Sequence, residues 1–277
     1  MPKNKSLFFS SLLLLVISAS AQEQIHFKIG YQPGKRYHQL CDGDQLVTLL
    51  FLGPPDLLKE MKYNGDSISK KVVQKMHFDA DMETSKTVND KGEFNFELIF
   101  NQLKIGSDSV SIPPRTKFIG VANGNDMPRF DSVISNEIGD EVKKQIVPLI
   151  QKMYSQITFP EKDLKKGESF THEIPMQMPV GTAVIAVKIL TRYTLMSVNN
   201  GMATLAISQT YTFDSGESKS ITGSGDGDGE LLYDIQNNFY RKFQINSALK
   251  LHLKTDRAEA REEIRGYYEQ TSTINSL

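Results

Sequence analysis

Along most of this chain apolar and polar residues alternate at every second position, and one long stretch departs from that rhythm. From Asn136 to Ile157 the apolar residues are Ile138, Val142, Ile146, Leu149, Ile150, Met153 and Ile157. That spacing predicts a helix with one buried stripe. Acids lead it (Glu137, Asp140, Glu141) and lysines follow (Lys143, Lys144, Lys152), which suits the helix dipole. Pro148 inside it predicts a kink, or a restart with proline in the first turn.

Elsewhere the alternation predicts strands. Gln24 to Ile29 reads as a first strand, Arg36 to Leu40 begins a second, and Leu46 to Leu52 (LVTLLFL) is almost wholly apolar. Gly53-Pro54-Pro55 stops that run, and Asp56 to Tyr63 fits about two helical turns. A long hairpin follows. Met76, Phe78, Ala80 and Met82 alternate with polar residues, and Phe94, Phe96, Leu98 and Phe100 do so on the return. This predicts an antiparallel pair with one face in the core and one in water. A three-residue loop Asp90-Lys91-Gly92 sets Val88 opposite Phe94 and Met82 opposite Phe100.

A second hairpin carries Val187, Ile189, Tyr193 and Leu195 on one limb and Leu205, Ile207, Tyr211 and Phe213 on the other. A two-residue Asn200-Gly201 turn would pair Asn199 with Met202 and set Ile189 opposite Thr212 and Tyr193 opposite Ser208, mixing the faces. A three-residue loop pairing Val198 with Met202 sets Val187 opposite Phe213, Ile189 opposite Tyr211, Tyr193 opposite Ile207 and Leu195 opposite Leu205. The polar exceptions, Thr191 and Gln209, then face each other. Beyond it, Ser218 to Gly225, Glu230 to Ile235, Phe239 to Ile245 and the alternation Leu249, Leu251, Leu253 read as strands. Asp256 to Ile264 fits a short helix or an exposed edge strand, and Tyr267 to Ile274 a last strand.

The hairpins invite superposition. With Gly92 laid on Gly201, Phe78 falls on Val187, Ala80 on Ile189, Phe96 on Leu205 and Leu98 on Ile207. Upstream, Gly34-Lys35-Arg36-Tyr37 matches Gly167-Glu168-Ser169-Phe170. The offset is 133 there (167 − 34) and 109 at the hairpin (201 − 92), so the first half holds 24 extra residues between the landmarks (133 − 109). LVTLLFLGPPDLLKEMKY lies in that gap. The expected fold is mainly β (α+β): two repeated antiparallel β-meander lobes joined by a kinked amphipathic helix, with a curved half-barrel as one form. The expected boundaries are a leader over 1–21, a first lobe over 22–135, the helix over 136–158 and a second lobe over 159–277.

Composition changes the picture mainly at the N-terminus. Lys3 and Lys5, the apolar run Leu7 to Ile17 and the small-x-small Ala19-Ser20-Ala21 make an export signal with cleavage near Ala21. About 11 apolar residues are too few to span a bilayer, which takes about 20. The expected mature chain is exported to the periplasm or beyond, with no membrane-spanning segment. Cleavage takes the balance from 32 basic against 33 acidic residues to 30 against 33. A net charge of that sign argues against nucleic acid as a partner. The single Cys41 has no partner for an internal disulfide.

Candidate chemistry is sparse. Gly223-Ser224-Gly225-Asp226-Gly227-Asp228-Gly229-Glu230 lacks the Lys-Ser/Thr ending of a phosphate loop. As a calcium loop it fails where Leu231 and Asn237 stand in place of Gly and Glu. A glycine-loosened strand or bulge where a sheet bends is the plainer reading. Asp226, Asp228 and Glu230 leave a weak divalent-ion site open. His26, His38, His77, His172 and His252 show no metal-ligand spacing, and His38 and Cys41 would lie on opposite faces of a strand. Asp79, Asp81, Glu83, Glu93 and Glu97 read as a solvated face. No catalytic, metal or cofactor residues are assigned.

The Gly-x-x-aromatic turns, the hairpin closed by Asn-Asn-Gly and the GSGDGDGELLYD segment make the mature chain resemble a group of uncharacterised exported envelope proteins of Gram-negative bacteria, two-lobed and β-rich. The few-helix antiparallel sheet is also similar in architecture to half-barrel lipoprotein carriers. The first expectation is a non-enzymatic periplasmic protein that binds an apolar, lipid-like ligand, lined by Leu49, Phe51, Leu57, Phe78, Phe96 and Ile150. Alternatives are an envelope scaffold that pairs with a protein partner through edge strands, and a hydrolase with dispersed catalytic residues.

Overall fold

The computed structural model describes residues 23–106, 112–124, 126–155, 160–180, 183–214, 221–254 and 258–277, and only the backbone at 105, 152–155, 177–180, 183–185 and 214. The leader expected over 1–21 falls wholly outside them, and the strand expected at Ser218 to Gly225 in part. In chain order the elements are β1 (Gln24–Phe27), β2 (Lys35–Leu52), α1 (Pro55–Tyr63), β3 (Ser69–Val88), β4 (Phe94–Ile105), β5 (Thr116–Ala122), β6 (Arg129–Ile134), α2 (Asp140–Ser155), β7 (Lys162–Lys165), β8 (Ser169–Val180), β9 (Ala183–Asn199), β10 (Met202–Asp214), β11 (Ile221–Asp234), β12 (Phe239–Lys254) and β13 (Glu259–Ser276).

The fold is mainly β and antiparallel. Eleven strands form one sheet in the order β6-β5-β4-β3-β2-β13-β12-β11-β10-β9-β8, and β1 pairs with β7 in a separate ribbon. β6 and β8 end the sheet and do not pair, so it is not a closed barrel. Every neighbour in it is a sequence neighbour except β2 and β13, which join along 18 residue pairs from Lys35↔Ser276 to Leu52↔Glu259. The stretch read as a short helix or edge strand at Asp256 to Ile264 is therefore, over its described part, an internal strand. Glu259, Arg261 and Glu263 stand on the outer face of a sheet paired on both sides, and Glu262 on the inner one. Several expected short strands are likewise fused: Arg36 to Leu40 with Leu46 to Leu52, and Phe239 to Ile245 with Leu249 to Leu253.

Both hairpins obey the expected alternation and depart from the expected register in opposite ways. In the first, Gly92 N–H bonds to the Asn89 carbonyl, and Asn89 N–H to that of Glu93, which closes the three-residue loop. Val88 meets Phe94, but Met82 meets Leu98 and Phe100 meets Ala80. The expected Met82–Phe100 pair is corrected by an irregularity between Thr84 and Val88 that takes up two residues of β3. Thr84 is still paired with Phe96, and the unpaired residues 85–87 follow it where the chain 32–35 crosses: the Thr84 hydroxyl donates to the Gln32 carbonyl and accepts from Lys35 N–H, and Gly34 N–H bonds to the Ser85 carbonyl.

In the second hairpin the core pairs are those expected, from Val187↔Phe213 to Leu195↔Leu205, with Thr191↔Gln209 between them. The turn is corrected. Asn199 pairs with Met202, and Asn200 (φ 50°) and Gly201 (φ 77°) form a two-residue turn with both central residues left-handed. A bulge at Met196, which is exposed, then restores the faces.

The alternation gives the sheet an inner face, where the core lies, and an outer polar face. β1 and the strap that follows it, 28–34, cross the inner face. Phe27 packs against Phe170, Tyr193 and Tyr233, and Tyr31 against Tyr37, Phe96 and Phe239. The strap thus touches strands of both halves. Its polar backbone is satisfied by Tyr233, whose hydroxyl donates to the Lys28 carbonyl at 2.7 Å. α2 covers the other side of this core: Ile150 is buried in it, and Ile146 and Val147 pack on it. The Gln151 side chain accepts from Phe130 N–H at 2.7 Å, tying α2 to β6. Pro148 lies inside the helix, which begins at Asp140 rather than at Asn136.

Candidate ligand-binding face

From the strapped end to the far end, the inner face changes character twice. At the strapped end Tyr37, Met82, Phe96, Leu98, Leu205 and Leu231 lie at 1 % exposure or less in a filled core. A polar belt follows. Gln39 is buried at an inner position of β2; its amide donates to the Tyr240 hydroxyl at 3.0 Å, and its carbonyl accepts from Gln270 at 3.0 Å. Tyr268 donates to Gln270 at 2.9 Å. Further round the sheet Tyr211 donates to the Gln209 carbonyl at 2.6 Å, and the Gln209 amide donates to Thr191 at 3.1 Å. Ser272 Oγ is buried on the same face and has no hydrogen-bond partner among the described residues.

Beyond the belt the face turns apolar again. Leu249, Leu251 and Ile264 form a second buried cluster, with Val47, Tyr211, Phe213 and Leu253 half-buried around it. Cross-strand register brings in Leu49 and Phe51 beside Glu262 and Ala260. Glu262 is the one acid among these inner positions of β13, between Leu49 and Leu251. Burial pushes its carboxyl above the usual carboxylate range.

The GSGDGDGE segment explains how this zone packs. It is a regular strand, in step with β12 from Ile221 to Leu232 and with β10 from Ser224 to Asp234, not a bulge. Its glycines all take inner positions and its acids outer ones. A methyl group added at Gly223 would lie 2.6 Å from Leu251 Cδ2 and 2.7 Å from Phe213 Cδ2; one at Gly225 would lie 2.9 Å from Leu249 Cγ. The bare ribbon is the floor onto which side chains of β10 and β12 lean. Asp226, Asp228 and Glu230 stand exposed on the other face, and no group of three or more His, Cys, Asp or Glu side chains fit to hold a metal ion occurs among the described residues.

The residues expected to line a ligand do not share one surface. Leu49 and Phe51 face the distal zone, and Leu57 is half-buried on α1. Phe78, opposite Cys41, packs edge-on against Phe100 at the border of the core. Phe96 and Ile150 are inside the filled core. The belt was missed, although Gln39 and Cys41 occupy the apolar parity of β2, where a polar residue is the signal to look for. Glu262 was missed because its segment was not read as an inner strand.

The titratable groups are scattered. Each of four histidines has a carboxylate partner of its own: His26 with Asp163 (2.7 Å) and Glu161 (2.9 Å), His38 with Asp81 (3.2 Å), His77 with Asp42 (2.7 Å) and His252 with Glu259 (3.1 Å). Burial lowers His172. Cys41 lies on the inner face, opposite in sense to His38. Burial and nearby Asp42 push its thiol up against the pull of a Tyr268 hydrogen bond, which leaves it a poor nucleophile. The acids of the first hairpin are engaged outside the core: Glu83 with Arg36, Glu97 with Lys117, and Asp79 and Asp81 with Asn101.

No helix among the described residues is long and apolar enough to cross a membrane. A comparison of the chain with known protein families finds no match, and a comparison with curated proteins finds none either.

Proposed function

We propose that this chain is a non-enzymatic, exported carrier that holds an apolar, lipid-like ligand against the distal inner face of a half-barrel. The observation that carries the reading is the division of that face. A filled core needs no second apolar cluster beyond a polar belt, whereas a carrier needs apolar side chains still partly open to an occupant. Val47, Leu49, Phe51, Phe213 and Leu253 are half-buried there. A tail would lie along them, and the hydrogen-bonding groups of the belt would meet its polar end.

The half-barrel is read as two copies of one meander. β1, Gly34 and β2 correspond to β7, Gly167 and β8, with both glycines at positive φ (69° and 85°). Their amides close similar turns, on the Ser85 and Leu195 carbonyls. The two leading strands pair with each other. Gly92 and Gly201 share φ 77°. α2 links the copies, and the β2–α1–β3 arm is the addition found in the first. This is the arrangement that the resemblance to exported envelope proteins implies.

Strand addition at a sheet edge, the scaffold alternative, has less to work with. β6 is short and covered by α2, and β8 carries Pro175 and Pro179 at the same parity. Two backbone donors that an incoming strand needs are thus missing. A hydrolase would need the separated histidines and the buried Cys41 to converge.

Native mass spectrometry of protein purified from the periplasm tests the reading. A lipid-sized adduct is expected, and Leu49→Glu with Phe51→Glu should abolish it without unfolding the core. Bare protein in repeated preparations would overturn carriage.

A further inference from the structure

The arm formed by the second half of β2, α1 and the first half of β3 is apolar on both faces. Odd positions of β2 (Val47, Leu49, Phe51) look inward. Even positions look outward, and there Leu46 is 38 % and Leu50 37 % exposed. Val73, opposite Leu46 on β3, is 63 % exposed, and Tyr63 at the end of α1 is 91 % exposed. α1 has no buried residue although Leu57, Leu58 and Met61 lie along it. β4 pairs with β3 only from Met76 onward, so this part of β3 has no partner from β4.

The charge of the arm differs from that of the chain. Between residues 46 and 76 stand Lys59, Lys62, Lys70, Lys71 and Lys75 against Asp56, Glu60 and Asp66, a balance of +2 in a chain of net −1. On the outer side of β13 Arg265 lies across from Leu46 and Arg261 from Leu50, balanced by Glu263 across from Thr48 and Glu259 across from Leu52, so the excess of positive charge is that of the arm itself. Of the five lysines, only Lys75 has an ion-pair partner among the described residues, Asp44 at 4.0 Å.

We infer that this arm docks the protein on an anionic lipid surface, with Leu50, Val73 and the apolar side chains of α1 entering the headgroup boundary and the lysines meeting lipid phosphates. Exposed apolar residues flanked by unpaired cations are what such a surface recognises: burial of apolar area supplies one part of the affinity and anionic charge the other. A protein partner or a second copy could cover the apolar stripe, but neither explains why the cations collect around it in an otherwise acidic chain. The arm also forms the lip of the distal inner face. Docking there would set that face beside the membrane, although the inference does not depend on carriage.

Vesicle flotation of the chain purified from full-length expression tests it. Binding is expected to vesicles of mixed phosphatidylglycerol and phosphatidylcholine, not to phosphatidylcholine alone, and should weaken as salt rises. The exposed pair Lys62→Glu on α1 and Lys71→Glu, which faces outward opposite Thr48, should lower partitioning roughly 20-fold or more. Leu50→Glu with Val73→Glu should lower it about tenfold or more. Both should keep the parent melting curve and any adduct seen by native mass spectrometry, so that this result and the carrier result separate. Leu190→Glu, equally exposed but on β9, should change nothing. Equal binding to both lipids, binding to neither, or an arm variant that alters only the oligomeric state in ultracentrifugation would overturn the inference.

Discussion

The two ends of the inner face are built from the same strands and yet pack differently. At the strapped end the sheet is covered by β1, the strap 28–34 and α2, and aromatic rings fill the space between them. At the distal end the sheet covers itself, because Gly223 and Gly225 let Phe213, Leu249 and Leu251 lean across β11. The first arrangement uses added layers to exclude water. The second uses missing side chains, and leaves a skin of half-buried apolar residues on top. The difference teaches that apolar residues at core parity are not all equivalent: what decides is whether another layer lies over them.

Substitution at the two ends measures this difference most directly. Phe96→Ala opens a void under Tyr31 and Phe130 and should cost about 3–5 kcal/mol. Leu49→Ala, already half in solvent, should cost about 1 kcal/mol or less. Equal losses in denaturant titrations would erase the distinction.

The glycine ribbon comes next. A side chain at Gly225 would meet the Ala248 carbonyl oxygen at 2.8 Å, a backbone atom that cannot step aside. Gly225→Val should cost about 1–3 kcal/mol. Gly223→Ala meets side-chain atoms of Leu251 and Phe213 first and the Lys250 carbonyl oxygen only at 3.0 Å, and should cost less. A neutral Gly225→Val would mean the distal zone does not need the ribbon.

A smaller effect separates the zones by pH. Glu262 is raised above its ordinary range by burial, so the fold binds its proton more tightly than the unfolded chain does. Its charge is therefore a burden at neutral pH that is relieved as pH falls through the raised value. Glu262→Gln should raise Tm at neutral pH, and its advantage should shrink toward about pH 4. An advantage independent of pH would remove the carboxylate from the apolar wall.

The smallest effect lies in the ribbon over the core. Asp163, outweighing the cost of desolvation, and then Glu161 hold the His26 imidazole above its ordinary value. The stabilisation is full below the unfolded pKa and is lost as pH rises through the folded one. A proton NMR titration of His26 should give a midpoint above about 6.5, and Asp163→Asn should bring it down. A midpoint unmoved by that change would mean β1 and β7 are not held together there.

Much of this was legible in the residues. Alternation at every second position told which side chains of Val187 to Phe213 share a face, and even which pairs meet. It also told that His38 and Cys41 look opposite ways. The helical stripe marked Ile146 and Ile150 as α2's contact with the core, and Asp56 to Tyr63 was recognisable as α1 from its prolines and length. These are local properties: a side chain's direction follows from the backbone within a few residues of it.

Only the tertiary structure decided the rest. The Met196 bulge allowed a two-residue turn where continuous pairing seemed to forbid one, and the irregularity before Val88 displaced Met82 from Phe100. The junction of β2 with β13 turned an apparent edge segment into an internal strand and set Glu262 among leucines. The strap over Phe96 made one apolar stretch core, and its absence over Leu49 left another half open. Each depends on what a residue meets from a distant part of the chain. Shifting a strand by two residues keeps every side chain on its own face, so alternation alone cannot tell one register from another.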